Sequence, residues 1–196
     1  AMEGAHALAG RPLVSLSEQQ LIDCEESNLG CHGGLQPNAF VYAIDNDGIE
    51  AEAAYPYVQD KQPDTKHRCV AKASASKATF SDYHELEEGD EQGLLQAVGL
   101  AGPVSIDMDA GGDPNFQFYS GGVFASRSCT TITDHAVLAI GYGVSRKDES
   151  ELISGVVRDG DLKYWLVKNS WGTSWGIGGY FMIERGVNMC GVAQYS

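Results

Sequence analysis

The sequence changes character near Gly102, and this change limits the folds that the chain can adopt. Before that point, apolar residues recur with the spacing of one helix face, at Leu35, Ala39, Phe40, Ala43 and Ile44. After it, apolar Val104, Ile106 and Met108 alternate with polar neighbours, as in a strand with one buried face. A helical front half followed by a β-rich back half predicts an α+β chain with two segregated lobes.

Local signals place the elements of these lobes. Ser17 with Gln20 three residues later is a capping-box pattern that starts a helix. Asp47-Gly48 ends the helix that carries the apolar face. We predict further strands over residues 135–144, 163–168 and 179–185. The lobes then cover 1–84, whose first helix begins uncapped at Ala1, and 85–196, with a long polar surface loop or hairpin over 145–162.

Composition excludes several classes of protein. The 196 residues carry a formal net charge of −14, and 43% of them are hydrophobic. That hydrophobic content excludes a disordered chain, and no apolar stretch is long enough to cross a membrane. The negative charge argues against nucleic acid or an anionic membrane as a partner.

The five cysteines indicate disulfides and leave one thiol over. They are Cys24, Cys31, Cys69, Cys129 and Cys190. No spacing matches a zinc site, so we predict no metal and no other cofactor. Two disulfides and one odd thiol imply an oxidising compartment, whereas five buried free thiols would fit a cytosolic protein. The spacing alone does not choose a pairing.

Three short patterns can carry chemistry. Asp134-His135-Ala136 opens an apolar strand with a histidine that can act as a general base, or serve structure alone. In the segment 168–172, Asn169 can orient an imidazole and Trp171 can cover it, although Trp and Gly also cluster in turns. The segment 30–34 holds paired glycines that admit another backbone, or simply make a tight turn.

Taken together, the order of the motifs is specific. Gln-Leu-Ile-Asp-Cys, Gly-Cys-x-Gly-Gly, Tyr-Pro-Tyr, Asp-His, Tyr-Trp-Leu-Val-Lys-Asn-Ser-Trp-Gly and Gly-Gly-Tyr follow one another along the chain. This order resembles papain-like cysteine peptidases of the cathepsin L type over essentially all of residues 1–196. The resemblance implies a helical left lobe, a β-barrel-like right lobe and an active-site cleft between them.

The resemblance also implies a Cys-His-Asn endopeptidase that acts on polypeptides. His135 would be the catalytic base and acid, Asn169 would orient its ring, and Trp171 would shield the pair. Asp134 and Ala136, on either side of the histidine, count among the substrate-binding residues.

Other substrate-binding residues follow from the same resemblance. Gly33 and Gly34 would hydrogen-bond an extended substrate backbone. Leu35 would line the pocket for the second residue before the cut, with Asp107 in its wall and Tyr195 at its floor. A bulky floor favours branched aliphatic side chains, whereas an inward-pointing Asp107 favours a basic one.

The nucleophile of the family is absent from this sequence. The family carries it in a Cys-Gly-[Ser/Ala]-Cys-[Trp/Tyr] motif, with His and Asn about 130–150 residues downstream. Matching Met2-Glu3-Gly4 to the family's first helix places that cysteine about eight residues before Ala1, and about 142 before His135. We therefore expect the nucleophile, and the oxyanion-hole glutamine, upstream of the chain. The alternative is a catalytically inactive relative that serves as a binding or structural module.

By resemblance, Cys24 pairs with Cys69 and Cys129 pairs with Cys190. Cys31 would pair with a cysteine in the upstream segment, so we do not assign it as a substitute nucleophile. Propeptide or cystatin-like inhibitors are further expected partners, and the expected location is lysosomal or secreted.

Overall fold

The computed structural model describes residues 1–59, 65–145 and 161–196. The chain divides into two compact units, Met2–His84 and Glu85–Ser196. Most of the loop predicted over 145–162, namely residues 146–160, lies outside the described residues. Across the described ranges, no helix is both long enough and apolar enough to cross a membrane.

The first unit is built from three helices and one small sheet. The helices are α1 (Met2–Leu8), α2 (Glu18–Cys24) and α3 (Gln36–Asp45), and the antiparallel strands are β1 (Ile49–Glu50) and β2 (Ser76–Ala78). Short 3₁₀ helices lie at Gly30–His32 and Ala73–Ala75. Its core consists of Leu16, Tyr42, Ala43, Ile49 and Ala78.

Local hydrogen bonds fix the helix ends of this unit. The Ser17 hydroxyl accepts from Gln20 N at 2.9 Å, which caps α2 as predicted. The Gln20 side chain does not turn back to close a capping box; its Oε1 accepts from Glu50 N and its Nε2 donates to Tyr42. Past α3, Gly48 has φ +115°, and a Cβ there would overlap the Ala78 carbonyl oxygen. Glycine is therefore required at this helix end.

The second unit joins helix α4 (Glu91–Leu100) to a five-stranded sheet. The strands are β3 (Val104–Met108), β4 (Val123–Phe124), β5 (His135–Ser145), β6 (Leu162–Lys168) and β7 (Tyr180–Glu184), and 3₁₀ helices lie at Phe116–Phe118 and Met189–Gly191. Among the described residues the order is β3-β5-β6-β7-β4; the β4–β7 pair is parallel and the other three pairs are antiparallel. The α+β class is confirmed, and over the described residues the sheet is open and closes no barrel.

The alternation in β3 separates core from surface. Ile106 and Met108 are fully buried, together with Trp165 and Phe181 of the neighbouring strands. Glu91, the first residue of α4, accepts hydrogen bonds from Trp165 Nε1 at 2.9 Å and from the backbone N–H groups of Gly186 and Asn188. One carboxylate thus holds the helix, the sheet and the turn after β7 together.

Each unit contains one disulfide. Cys24 is bonded to Cys69, and Cys129 is bonded to Cys190. Both bonds fit the pairing that the resemblance implies. Cys31 is a free, exposed thiol whose Sγ donates to Gln59 Oε1 at 3.2 Å.

Candidate active site

Antiparallel pairing brings His135 and Asn169 to the same end of the sheet. His135 is the first residue of β5, and Asn169 follows the last residue of β6. The two strands pair with Leu138 opposite Lys168, so the start of one lies beside the end of the other. A bond from Asn169 N to Gly179 O, at 3.0 Å, fixes the chain as it leaves β6.

The two side chains form a hydrogen bond whose polarity the geometry determines. His135 Nε2 lies 2.8 Å from Asn169 Oδ1, and Ser170 N donates to the same atom at 2.8 Å. A backbone N–H can only donate, so the atom it meets is the amide oxygen rather than the amide nitrogen. That oxygen can only accept, which means that Nε2 carries a proton. Nδ1 is then the ring nitrogen that can exchange a proton.

Trp171 lies next to this bond. Its ring centroid is 5.1 Å from that of His135, and the planes are tilted by 34°. Asn169 is only 7% exposed, although Trp171 itself is 40% exposed. Excluding water from the His–Asn bond strengthens it, because the local dielectric constant falls.

An aromatic cluster supports Trp171 from the core side. Phe116 and Trp175 meet its ring edge to face, at centroid distances of 5.5 and 5.0 Å. Trp175 Nε1 also donates to Gln117 O at 2.9 Å. Phe116 was not predicted, because a three-residue 3₁₀ helix shows no period.

The residues flanking His135 have different partners. Asp134 and Ala136 are both exposed, and the Asp134 carboxylate accepts from Ala110 N at 2.7 Å and Gly111 N at 3.1 Å. Asp107 pairs with Ala136 across β3 and β5, and its N–H donates to Tyr195 O at 3.2 Å. The second unit therefore brings Asp107, Ala136 and Tyr195 together.

Gly33, Gly34 and Leu35 belong to the first unit, where Asn28 holds them. Asn28 Oδ1 accepts from Leu35 N at 2.8 Å, and Asn28 Nδ2 donates to Leu35 O at 3.1 Å. Gly33 has φ +112°, and a Cβ on Gly34 would collide with the Asn28 side chain. Both glycines are exposed, and the Leu35 side chain is 61% exposed. Asn28 was not predicted, because a single loop asparagine gives no pattern.

In residues 1–59, 65–145 and 161–196, no group of three or more His, Cys, Asp or Glu side chains is placed to hold a metal ion. The chemical groups at the site are therefore an oriented imidazole, an amide that orients it and an aromatic cover.

The sequence and the fold are both similar to those of known proteins. The family described as papain family cysteine protease matches residues 1–196. Cysteine proteinase 2 of Dictyostelium discoideum is 41% identical over 99% of this chain and 57% of its own length, and cathepsin L of Sarcophaga peregrina is 44% identical over 100% and 53%. The solved structure of digestive procathepsin L2 from Tenebrio molitor larval midgut is similar with a TM-score of 0.82, at 39% identity, over 97% of this chain and 55% of that one. The chain thus spans about half the length of the relatives it matches. It belongs to the papain family of cysteine proteases.

Proposed function

We propose that this chain supplies the histidine and asparagine of a cysteine-type endopeptidase, which hydrolyses peptide bonds through an acyl-enzyme. The observation that carries the proposal is the 2.8 Å bond between His135 Nε2 and Asn169 Oδ1 beside Trp171. Membership of the papain family supports it. The nucleophile in this proposal is a cysteine N-terminal to Ala1, in the family's Cys-Gly-[Ser/Ala]-Cys-[Trp/Tyr] motif.

The acylation half of the reaction uses His135 twice. Nδ1 accepts the proton of the thiol, and the thiolate attacks the carbonyl carbon of the scissile bond. The tetrahedral intermediate collapses when the imidazolium donates this proton to the leaving nitrogen. The C–N bond breaks, the amine product departs, and a thioester remains on the enzyme.

Deacylation reverses the roles of the same groups. Water attacks the thioester carbon and gives a proton to His135 Nδ1. The C–S bond then breaks, the carboxylic acid departs, and the proton returns to the sulfur. Throughout both halves, Asn169 keeps its bond to Nε2, so the ring presents the same nitrogen to the reacting atoms. Trp171 limits the access of water to that bond.

For the substrate, we propose an extended polypeptide bound through its backbone by Gly33 and Gly34. The resemblance assigns contacts with the second residue before the cut to Leu35, Asp107 and Tyr195. A peptide library varied at that residue distinguishes two preferences: a branched aliphatic side chain if Tyr195 limits depth, or a basic one if Asp107 points inward. Equal cleavage of every side chain contradicts both.

The proposal extends to partners and location. Propeptide and cystatin-like inhibitors are proposed as partners because of the resemblance to papain-like peptidases. The solved relative from Tenebrio molitor is itself a procathepsin. Lysosomal or secreted location is proposed because both disulfides need an oxidising environment to form.

Kinetics of the natural protein, with the residues that precede Ala1, test the function. We expect cleavage of a fluorogenic peptide, and a loss of about 10²–10⁴-fold in kcat for His135→Ala. His84→Ala is the matched control, since His84 is exposed and was assigned no role in catalysis. A folded natural protein that cleaves no peptide contradicts the proposal and supports an inactive binding module.

A further inference from the structure

Two loops beside His135 are joined by a buried carboxylate. The loop 109–115 follows β3, and the loop 126–134 leads into β5. Asp109, at the start of the first loop, is buried and accepts from Thr130 N at 2.6 Å and from the Thr130 hydroxyl at 2.9 Å. It also accepts from Gly112 N at 2.6 Å in its own loop. One side chain therefore fixes both loops.

A second carboxylate makes the reverse connection. Asp134, at the end of the second loop, accepts from Ala110 N and Gly111 N of the first loop. Its own N–H donates to Met108 O at 3.0 Å. Each loop thus supplies a carboxylate to backbone N–H groups of the other, and His135 is the next residue along the chain.

Gly111 and Gly112 leave room for these carboxylates. Neither has a positive φ, so neither is needed for its backbone conformation. A Cβ on Gly111 would lie 2.6 Å from Asp134 Oδ2, and a Cβ on Gly112 would overlap the Asp109 carboxylate. Any larger residue at either position would displace a carboxylate that accepts two or more hydrogen bonds.

The negative charge of Asp109 strengthens the hydrogen bonds between the two loops. Burial alone would raise the pKa of its carboxyl, but hydrogen bonds from the Thr130 N–H and hydroxyl, and from Gly112, outweigh burial and lower the pKa below its ordinary value. Asp109 is therefore ionised in all but strongly acidic conditions, and hydrogen bonds to an ionised acceptor are about twice as strong as neutral ones. At the other side of Asp109, its N–H donates to Cys190 O at 2.8 Å.

We propose that Asp109 is a positioning residue for the reaction of His135. Together with Asp134, it links residues 109–112 to residues 130–134 through carboxylate hydrogen bonds, which we call the interlock. Gly111 and Gly112 are required for the interlock to form. This inference rests on the proposed peptidase function. The physical reason is that a catalytic group displaced by about 1 Å can lose about 10²-fold in rate.

Two substitutions test the interlock: one changes the carboxylate and the other changes the space around it. Asp109→Asn removes the charge and turns an N–H toward donors, whereas Gly112→Ala keeps the charge but displaces the carboxylate. We expect each to lower kcat about tenfold or more, with KM changed less than about threefold. Gly121→Ala is the matched control, because a Cβ there meets nothing within 4 Å and its φ is not positive. Wild-type kcat in both variants, or an equal loss in the control, overturns the proposal.

A second readout does not depend on catalysis. The ¹⁵N resonance of His135 Nε2 reports its hydrogen bond to Asn169 in the folded natural protein. We expect it to shift in both variants and to stay unchanged in Gly121→Ala. An unchanged resonance refutes the positioning role even if the protein is an active peptidase. A shifted resonance in a protein that never cleaves peptide refutes the peptidase function and leaves the interlock standing.

A milder variant keeps the test decisive if Asp109→Asn does not fold. Thr130→Val removes the hydroxyl, which donates to Asp109 at 2.9 Å and accepts from Ile132 N at 3.1 Å, and it leaves the Thr130 N–H bond to Asp109 in place. We expect a smaller shift of the His135 resonance in the same direction, and a kcat loss of about two- to fivefold. No shift and no loss in this folded variant count against the proposal.

Discussion

Replacing Asn169 with alanine probes the proposed catalytic pair most sharply. The change removes the one oxygen that accepts from both His135 Nε2 and Ser170 N, each at 2.8 Å. Because Asn169 is only 7% exposed, water replaces that acceptor poorly. A buried donor left without an acceptor costs about 1–3 kcal/mol. If this cost falls on the oriented ring in the transition state, kcat drops about 5- to 150-fold, at 1.36 kcal/mol per factor of ten.

The assay is steady-state hydrolysis of a fluorogenic peptide by the natural protein, with kcat and KM determined separately. We expect the loss in kcat, with KM little changed, because the bond orients a reacting group rather than the substrate. Asn169→Asp keeps an oxygen toward both donors and should lose less. Asn46→Ala is a matched control, since it removes the bond that the exposed Asn46 side chain donates to Tyr42 O in the first unit. A kcat within about twofold of wild type in a folded Asn169→Ala protein refutes the assigned role.

Three further predictions concern stability, and urea denaturation measures all of them. Replacing Cys129 and Cys190 with serine removes a disulfide between residues 61 positions apart. The free energy of unfolding should fall by about 4 kcal/mol, and an unchanged urea midpoint contradicts this. Hydrogen bonds from Ser126 and Asn115 outweigh burial and lower the pKa of Asp113. The ionised Asp113 carboxylate therefore adds to the free energy of unfolding above about pH 4, and this stabilisation disappears as pH falls through the lowered pKa. Asp113→Asn should therefore differ from wild type at pH 6 and converge with it in strong acid, and a constant difference refutes this. Glu91→Gln turns an amide N–H toward a donor and should cost about 1–3 kcal/mol; a change below about 0.5 kcal/mol contradicts the three-bond anchor.

Regular periodicity explains which elements could be predicted from the sequence. In β3 the predicted alternation holds for Ile106 and Met108, which are fully buried, while Val104 is partly buried. In α3 the predicted helix face is only partly right: Ala43 is in the core together with Tyr42, which was not predicted, and Leu35 is exposed. Strands β1, β2 and β4 have only two or three residues each, too few to display a period of two. Pairing with distant residues defines them, so local sequence carried no signal for them.

The residues of the candidate site were likewise only partly predictable from the sequence. His135 and Asn169 stand 34 positions apart, and their meeting could be expected only from the order of the family's motifs. Antiparallel pairing of β5 with β6 is the physical cause, and it is a long-range property. Asp109 could not be predicted, because two of its partners are backbone N–H groups that any residue type supplies, and the third is the hydroxyl of Thr130, 21 positions away. The adjacent Gly111 and Gly112 were the available signal, and only the space around them in the structure gives them a role.

The central claim is that His135 activates a cysteine in an endopeptidase, and covalent labelling tests it directly. The natural protein is treated with an epoxysuccinyl peptide that alkylates activated thiols, and the adduct is located by mass spectrometry. We expect one adduct, on a cysteine that precedes Ala1, and its loss in His135→Ala but not in His84→Ala. An adduct on Cys31, equal labelling of the two variants, or no adduct on a folded wild-type protein would contradict the account.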